Sequence, residues 1–446
     1  MWPFKYPYTN FHELNLDWIL NEIQELKSVV SSIPASTGNG VFSTPQEFGA
    51  VADGATDCTE SFSKALASGK PIFVPNGRYL VHNLEIPSGC TMVGQSRESV
   101  VFSSPAGGGA IMKTANFDQL KGSGALDGTF DAALSNFTID GRNYGGGIIG
   151  FAHYGTRNVL HNIVIANCDI GIYSEWCNQL GLIGNNGTEA YFDRITVNKC
   201  STGIEWHGPH DSMMENIIVA LGNTGITISD KENSTAAGTN WNQCHIYANK
   251  GFGIVCESSN IFTNVESESS GFEIPDADCA GFDIRGYCTL TGCRAHYNNG
   301  DGFRISGNGN KVDGWAFNNS KSAINFSGAC SQTMVTVVDA GNGDIRNISN
   351  ADMMNCNVKF VSSLKNISYA SGHTNEFELL SSKNDWINNS GNKQVMIITQ
   401  NTGNCYITPK NGTARELSEN VKTIVLLPYD RVQFVNPATF LIRNIV

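Results

Sequence analysis

The sequence predicts an all-β fold, a parallel β-helix. Three observations support this prediction: a repeat of variable length, strand-like patterning inside each repeat, and a composition rich in glycine but poor in charge. The 446-residue chain has 47 Gly and only 16% charged residues. Pairs of β-runs around a turn recur between residues 162 and 327, and a glycine marks the same place in successive repeats: Gly171, Gly203, Gly225, Gly253, Gly281 and Gly302. The intervals of 32, 22, 28, 28 and 21 residues predict stacked coils that share one core and differ in loop length.

The strand after each of these marker glycines has apolar residues in its first and third places, which predicts that those side chains point inward. Side chains alternate along a strand, so the second and fourth places should point outward and form two columns on one face of the stack. The second-place column is Tyr173, Glu205, Thr227, Val255, Asp283 and Arg304; the fourth-place column is Glu175, His207, Ser229, Glu257, Arg285 and Ser306. Cys168 and Cys200 precede their glycines by three residues and are predicted to be small buried apolar side chains.

The two ends of the chain differ from the repeat. Residues 1–30 are predicted to form a helix with an apolar stripe that needs a partner surface, and this stretch does not have the pattern of a signal peptide. The candidate attachment residues are Phe11, Leu14, Leu16, Trp18, Ile19 and Ile23. The alternative is a helix that packs on its own domain. Residues 31–45 are predicted to be a linker, 46–345 the β-helix, and 346–446 a C-terminal β-sandwich with short strands between turns.

Composition and charge exclude several classes of function. The net charge of −12, without a long basic run, argues against nucleic-acid binding. The first apolar stretch is too short and too acidic to insert into a membrane. Thirteen Cys without regular spacing indicate reduced, buried thiols rather than a disulfide framework. Zinc-like ligand spacing does not occur, and we expect neither a metal site nor a cofactor.

Two stretches carry a resemblance to known families. EFGAVADGATDCTESFSKALASGKPIFVPNGRYLV (47–81), with GSGALDG (122–128) and TIDGRN (138–143), resembles the pectate-lyase-like superfamily. This resemblance, which covers roughly residues 45–340, implies a right-handed, single-stranded parallel β-helix. MWPFKYPYTNFHELNLDWIL (1–20) resembles the N-terminal peptide of tailspike or appendage proteins of short-tailed phages. It implies a homotrimer in the virion, attached to tail or collar proteins through the N-terminus, with a β-helix facing a host cell-surface glycan and a C-terminal domain that assists trimerisation.

The outward columns contain the candidate catalytic residues. Glu175 and Glu205 with His207 are predicted to lie on neighbouring coils, and His210 and Asp211 follow in a short loop. Two acids about 5–10 Å apart are what glycoside hydrolysis needs, because one protonates the leaving oxygen while the other acts as base or nucleophile. The candidate substrate-binding residues are Tyr173, Trp176, His210, Trp241 and Glu257. The alternative is that the carboxylates are ordinary surface groups and the rings are packing contacts.

The resemblance does not supply a reaction mechanism. The polygalacturonase motifs NTD, GHG and RIK are absent, and WHGPHD (206–211) matches them only in part. The acidic cluster of a calcium-dependent pectate lyase is not apparent either. Together, the two resemblances and the acidic residues of the outward columns predict a phage tailspike or appendage that binds host polysaccharide or teichoic acid and cleaves it by hydrolysis. The alternatives are a receptor-binding spike without enzymatic activity, and a free secreted polysaccharide lyase or hydrolase.

Overall fold

The computed structural model describes residues 42–105, 107–142, 146–177, 189–274 and 278–342, together with the strands between residues 344 and 445 that are given below. The predicted N-terminal helix, with its candidate attachment residues, lies outside the described residues, as does the linker before residue 42. A 3-10 turn at Pro45–Phe48 opens the described part. Two helices follow: α1 (Thr59–Ala67) and α2 (Phe117–Leu120).

Parallel strands make up the central part of the chain. In order these are β1 (Asp53–Asp57), β2 (Ile72–Val74), β3 (Gly77–Leu80), β4 (Leu84–Ile86), β5 (Thr91–Gly94), β6 (Val100–Ser103), β7 (Ala110–Thr114), β8 (Thr129–Phe130), β9 (Ala133–Asp140), β10 (Ile149–Thr156), β11 (Val159–Ala166), β12 (Ile170–Glu175), β13 (Tyr191–Asn198), β14 (Thr202–Trp206), β15 (Met213–Glu215), β16 (Ile218–Ala220), β17 (Thr224–Ile228), β18 (Asn240–Asn242), β19 (His245–Tyr247), β20 (Ile254–Cys256), β21 (Ile261–Thr263), β22 (Glu266–Glu268), β23 (Ala280–Ile284), β24 (Thr289–His296), β25 (Asp301–Ile305), β26 (Lys311–Phe317), β27 (Ser322–Ala329), β28 (Met334–Ala340), β29 (Asp344–Asp352) and β30 (Asn357–Ser362).

Each coil of this β-helix has three faces. Face 1 is the ladder β4, β7, β10, β12, β14, β17, β20, β23, β25, β27 and β29, in which every strand is parallel to the next. Long strands such as β13 supply both other faces: its first residues pair with β15 on face 2, and its last residues pair with β16 on face 3. The corner between them is Arg194, which has a left-handed φ of 56°. Asn162 and Asn216 lie at the equivalent corners of the two neighbouring coils, so the bend recurs at the same position in successive coils.

The core confirms the inward pattern predicted from the repeat. The first-place residues stack in register as Ile172, Ile204, Ile226, Ile254, Phe282 and Phe303, and all are buried. Each of these side chains contributes about 1.5–3 kcal/mol of hydrophobic stabilisation by leaving water. Cys168 and Cys200 are also buried, as predicted. Helix α1 covers the first coils, because Phe62 lies edge-on to Tyr79 and Phe102 at 5.3 and 5.2 Å.

The marker glycines are required by close backbone approach. A Cβ on Gly171 would lie 2.5 Å from the carbonyl oxygen of Gly203, and a Cβ on Gly203 would lie 2.5 Å from that of Gly225. Neither glycine has a positive φ. Close backbone approach, rather than a left-handed backbone, therefore explains why glycine recurs at these positions.

Loops of different length explain the drifting repeat. The loop that follows the face-1 strand spans residues 207–212 in one coil and 229–239 in the next. In a later coil the long loop instead comes before the face-1 strand, which is β23. A further loop after β7 contains α2 and runs to β8. Because coil spacing is fixed by strand pairing, extra residues can be accommodated only at these corners. Two of these loops cover part of face 1.

The chain reverses its strand direction after β30. Parallel pairing continues through β29 and β30, beyond the predicted boundary at 345, and β30 then pairs antiparallel with the next strand. The C-terminal strands are β31 (Glu376–Ser382), β32 (Asp385–Ile387), β33 (Lys393–Gln400), β34 (Cys405–Thr408), β35 (Arg415–Leu417), β36 (Thr423–Leu426), β37 (Arg431–Phe434) and β38 (Ala438–Ile445). They form two antiparallel groups, β31–β38–β33–β36 and β32–β37–β34–β35. The sandwich packing and the domain boundaries stay predictions.

Candidate functional site

The candidate site lies on the outer side of face 1, where β12 and β14 meet two loops. Tyr173 pairs in register with Glu205, so Glu175, Glu205 and His207 lie on neighbouring coils of one face, as the repeat predicts. The loop that contains α2 approaches from one side, and residues 229–239 approach from the other. Asn233 joins these loops by donating a hydrogen bond of 2.9 Å to the carbonyl of Gly122. The face-1 site is defined here as Tyr173, Glu175, Glu205, His207 and Lys231.

Glu175 is a buried carboxylate whose oxygens are fully engaged. Its Oε2 accepts from the backbone N–H of Gly122 at 2.7 Å, and its Oε1 accepts from Lys231 Nζ at 2.9 Å and from the hydroxyl of Tyr173. Burial alone would raise the pKa of Glu175, but these hydrogen bonds together hold the pKa below its usual value. Glu175 is therefore ionised at neutral pH and is a poor proton donor.

Tyr173 contacts two lysines in different ways. Lys121 Nζ is 4.1 Å from the centre of the Tyr173 ring, whereas Lys231 Nζ donates a hydrogen bond to the Tyr173 hydroxyl. Burial, together with the carboxylates of Glu175 and Glu205, raises the pKa of the hydroxyl above its ordinary value, so the group stays protonated. The ring is buried and lies edge-on to Phe117 at 5.8 Å. The contact between Tyr173 and a sugar stays a prediction.

His207 joins Glu205 to the coil above through hydrogen bonds from both ring nitrogens. His207 Nδ1 lies 2.8 Å from the carbonyl oxygen of Ser229 and 3.1 Å from the Ser229 hydroxyl. His207 Nε2 lies 2.9 Å from Glu205 Oε1. The hydrogen bond from His207 lowers the pKa of Glu205, against the effect of burial, which favours the ionised carboxylate. His207 is buried, whereas 27% of the Glu205 side chain is exposed.

Lys231 bridges the two carboxylates. Its Nζ is 2.9 Å from Glu175 Oε1 and 3.9 Å from Glu205 Oε1, and 37% of its side chain is exposed. The two carboxylate oxygens can be no farther apart than the sum of these distances. This limit is compatible with the separations of about 5–9.5 Å found between the paired acids of glycosidases. The exposed part of the site consists of Glu205 and Lys231.

The two tryptophans predicted to bind substrate are buried in packing contacts. Trp241 is the middle residue of β18, points into the core, and donates from Nε1 to Asn260 Oδ1 at 3.0 Å. Trp176 lies edge-on to Tyr154 at 5.3 Å and to Phe130 at 5.6 Å. Neither ring has a face open to a ligand. The packing alternative therefore describes both side chains in this conformation, and a contact with substrate stays a prediction.

The remaining predicted residues form pairs of their own. His210 Nδ1 lies 2.8 Å from Asp211 Oδ2 in the loop after β14, and Asp211 is exposed. Glu257 lies on the second coil beyond Glu205 and pairs with Arg285 at 2.7 Å. The structure therefore brings Glu175, Glu205 and His207 into one network, and places Asp211, His210 and Glu257 in separate pairs.

Three contributors to the site were not predicted: Lys231, Lys121 and the backbone N–H of Gly122. All three come from loops that lie outside the strand columns on which the predicted pair of carboxylates depends. The interval of 28 residues between Gly225 and Gly253, against 22 in the preceding coil, indicated an inserted loop there and could have drawn attention to Lys231. The segment that begins at Gly122 was noted only for its resemblance.

Two features are absent from the part of the chain that the structure describes. No group of three or more His, Cys, Asp or Glu side chains there is arranged to hold a metal ion. No helix in those residues is both long enough and apolar enough to cross a bilayer.

Comparison with known proteins gives the following relatives. Residues 42–249 match the family model for rhamnogalacturonase A/epimerase, pectate lyase-like. The pre-neck appendage protein of Bacillus phage B103 is 27% identical over 247 residues, which cover 51% of this chain and 24% of that protein. The pre-neck appendage protein of Bacillus phage phi29 is 28% identical over 163 residues, 34% of this chain and 17% of that protein. Each match spans at most about a quarter of the relative's length.

Among solved structures, the Dettilon tailspike protein has a TM-score of 0.51 with 13% sequence identity, and the match covers 95% of this chain and 99% of that chain. At this identity the similarity concerns the fold alone. It extends along nearly the whole of both chains.

Proposed function

We propose that this chain is a phage tailspike or appendage protein of the virion, which binds a polysaccharide on the host cell surface and cleaves it by hydrolysis. The match to two pre-neck appendage proteins and the pectate-lyase-like β-helix support the receptor-binding role. The cleavage and its location at the face-1 site are argued from geometry. Attachment to tail or collar proteins through residues 1–30, and assembly as a homotrimer, belong to the same proposal.

The hydrogen bond between Glu205 and His207 is the observation that supports hydrolysis, since such a pair can hold a proton at the site. It sits on the exposed edge of a buried network, beside an ionised second carboxylate. In the proposed step, the pair gives its proton to the glycosidic oxygen as the bond from that oxygen to the anomeric carbon breaks. Water then adds its hydroxyl to the anomeric carbon and returns its proton to the pair, which restores the starting state.

Glu175 acts in this scheme as a positioning residue. It is covered by the loop containing Gly122, and its oxygens are occupied by three donors. Its negative charge holds Lys231 next to Glu205. Asp211 and His210 remain candidates for contacts to substrate at the edge of the site.

The lysines of the site favour an anionic polymer. Lys231 is neutralised by Glu175, and the Glu205–His207 pair carries no net charge when it shares one proton. Lys121 contacts two rings and forms no ion pair among the described residues. A carboxylate or phosphate group on the glycan would pair with the charge of Lys121. A local cation is needed to bind an anionic polymer, because the whole chain carries a net charge of −12 and would otherwise repel it.

The test uses the purified full-length protein and polysaccharide extracted from host cells. Polymer size is followed by chromatography, and fragment ends are identified by mass spectrometry, which separates hydrolysis from elimination. We expect fragments of regular repeat length from the wild type and none from Glu205→Gln. The matched control is Glu215→Gln on face 2, whose carboxylate accepts from Tyr191 at 2.8 Å and should leave turnover unchanged.

Two results would contradict the proposal in different ways. Full turnover by Glu205→Gln, with normal thermal unfolding, would remove the face-1 site as the place of cleavage. An intact polymer that still co-elutes with the wild-type protein would favour the receptor-binding spike without enzymatic activity. Unsaturated fragment ends would replace hydrolysis by elimination.

A further inference from the structure

A second group of aromatic and polar side chains lies on face 3, on the outward side of β19, β22, β24 and β26. Register places His245, Glu266, Arg294 and Trp315 one above another on consecutive strands. Glu268 is the outward residue beside Glu266, and Tyr297 follows β24 at the corner. These six residues, His245, Glu266, Glu268, Arg294, Tyr297 and Trp315, are called the face-3 array below.

The rings of the array are exposed but held in place. Trp315 is 43% exposed and Tyr297 is 52% exposed. The guanidinium of Arg294 lies 5.7 Å from the Trp315 ring. His296 stacks on Phe317 at 4.4 Å and lies edge-on to Tyr297 at 5.3 Å, which supports the tyrosine from beneath. Rigid exposed rings of this kind supply contact area with little loss of side-chain entropy on binding.

Hydrogen-bond acceptors and hydrogen-bond donors both lie next to the rings. Glu266 pairs with His296 at 2.6 Å and Glu268 with His245 at 3.2 Å, and about a third of each glutamate side chain is exposed. The Arg294 guanidinium makes no ion pair within the described part of the chain, so its five N–H groups are free to donate. Acceptors and donors thus alternate over strands that are about 4.8 Å apart.

We propose that the face-3 array is a second saccharide-binding site, which takes neutral sugar residues and is separate from the face-1 site. The apolar face of a sugar ring stacks on Trp315 or Tyr297, while its hydroxyl groups pair with the glutamates and with Arg294. The array spans three strand intervals, about 14 Å, which accommodates more than one sugar. The inference does not depend on cleavage at face 1.

The charges of the array distinguish this ligand from the alternatives. Two carboxylates beside the rings disfavour a polyanion. An apolar protein surface would bury the Arg294 guanidinium without a partner for its charge, which is unfavourable. A sugar satisfies the polar groups and covers the rings at the same time.

Binding to neutral oligosaccharides tests this proposal. The probe is the neutral fraction of fragments released from host-cell polysaccharide by dilute acid, titrated calorimetrically into the full-length protein. We expect Trp315→Ala and Tyr297→Ala each to raise Kd at least tenfold. The control is Tyr287→Ala, which removes a 62% exposed ring outside the array and should leave Kd unchanged. Thermal unfolding identifies any variant that fails to fold.

Turnover of the full polymer separates this proposal from that for face 1. If the array binds sugar, Trp315→Ala should retain cleavage of short fragments, whereas Glu205→Gln should retain binding of the neutral fraction. Wild-type affinity in both ring variants would overturn the second site, and so would no measurable binding of the neutral fraction by the wild type. A change in sedimentation mass in Trp315→Ala, without a change in Kd, would instead assign the surface to a contact between copies of the chain.

Discussion

Lys231 determines the charge balance of the face-1 site, since it is the cation that lies between Glu175 and Glu205. Lys231→Met would leave Glu175 ionised and buried with one donor fewer. We expect a loss of about 1–3 kcal/mol in stability, below the value for a fully buried pair because the lysine is partly exposed. The double variant Lys231→Met/Glu175→Gln removes the charge as well and should recover at least half of the loss. Thermal unfolding of the three proteins tests this; equal destabilisation of the single and double variants would contradict it.

His153 provides a residue-scale prediction about pH. It is fully buried between aromatic rings, and burial lowers its pKa to about 3, so it is neutral in the folded protein. Its Nδ1 lies 2.7 Å from Ser174 Oγ, whose hydroxyl donates to the carbonyl of Gly208 in the loop after β14. Nδ1 therefore carries the hydrogen, and Nε2 accepts from Asn158 at 2.9 Å.

The unfolded chain takes up a proton at this histidine near pH 6.5, whereas the folded chain does not until about pH 3. The contribution of neutral His153 to the free energy of unfolding is therefore fully present above pH 6.5. It decreases as the pH falls below this value, by up to about 1.4 kcal/mol per pH unit. We expect His153→Gln to unfold with a shallower pH dependence between pH 6.5 and 5, measured by thermal unfolding. Parallel pH profiles for the two proteins would show that His153 does not control this range.

At the scale of the strand, the marker glycines keep neighbouring coils in register. Gly203→Ala would place a methyl group 2.2 Å from Val219 Cγ1 and 2.5 Å from the carbonyl oxygen of Gly225. Since both neighbours are fixed by strand pairing, we expect a loss of about 1–3 kcal/mol or more from overpacking. Thr227→Ala changes an outward side chain on the next coil and should stay within about 0.5 kcal/mol of the wild type. A Gly203→Ala protein as stable as this control would show that the coils can separate locally.

The strands could be predicted from sequence more fully than the site. Glycine spacing and alternation are local signals, and they gave the core column from Ile172 to Phe303 and the proximity of Glu175 to Glu205. Trp241 could also have been placed correctly, because it stands between Asn240 and Asn242 in an alternating pattern that points it inward. Lys231 and Lys121 reach the site from loops whose paths depend on contacts distant in sequence, and no local periodicity encodes such contacts.

The whole molecule is predicted to work as an attached spike. Deletion of residues 1–30 should abolish incorporation into virions while leaving thermal unfolding and polysaccharide binding of the remaining chain unchanged, because the β-helix has its own continuous core. Incorporation is measured by western blot of purified particles from a complemented infection. Normal incorporation of the truncated chain would contradict the attachment role of this segment, and absence of the full-length chain from purified particles would favour the free secreted enzyme.

The reversal of strand direction after β30 has a consequence for solubility. A stack of parallel coils has an unpaired strand edge at each end, and an open edge can recruit another chain and grow into a fibre. At the C-terminal end, β31 pairs antiparallel with β30 and β38 pairs antiparallel with β31, so strand direction alternates there. A further parallel coil cannot pair with the edge of β30 that β31 occupies. The C-terminal strands thereby block fibre-like growth from this sheet, which favours a soluble chain at high concentration.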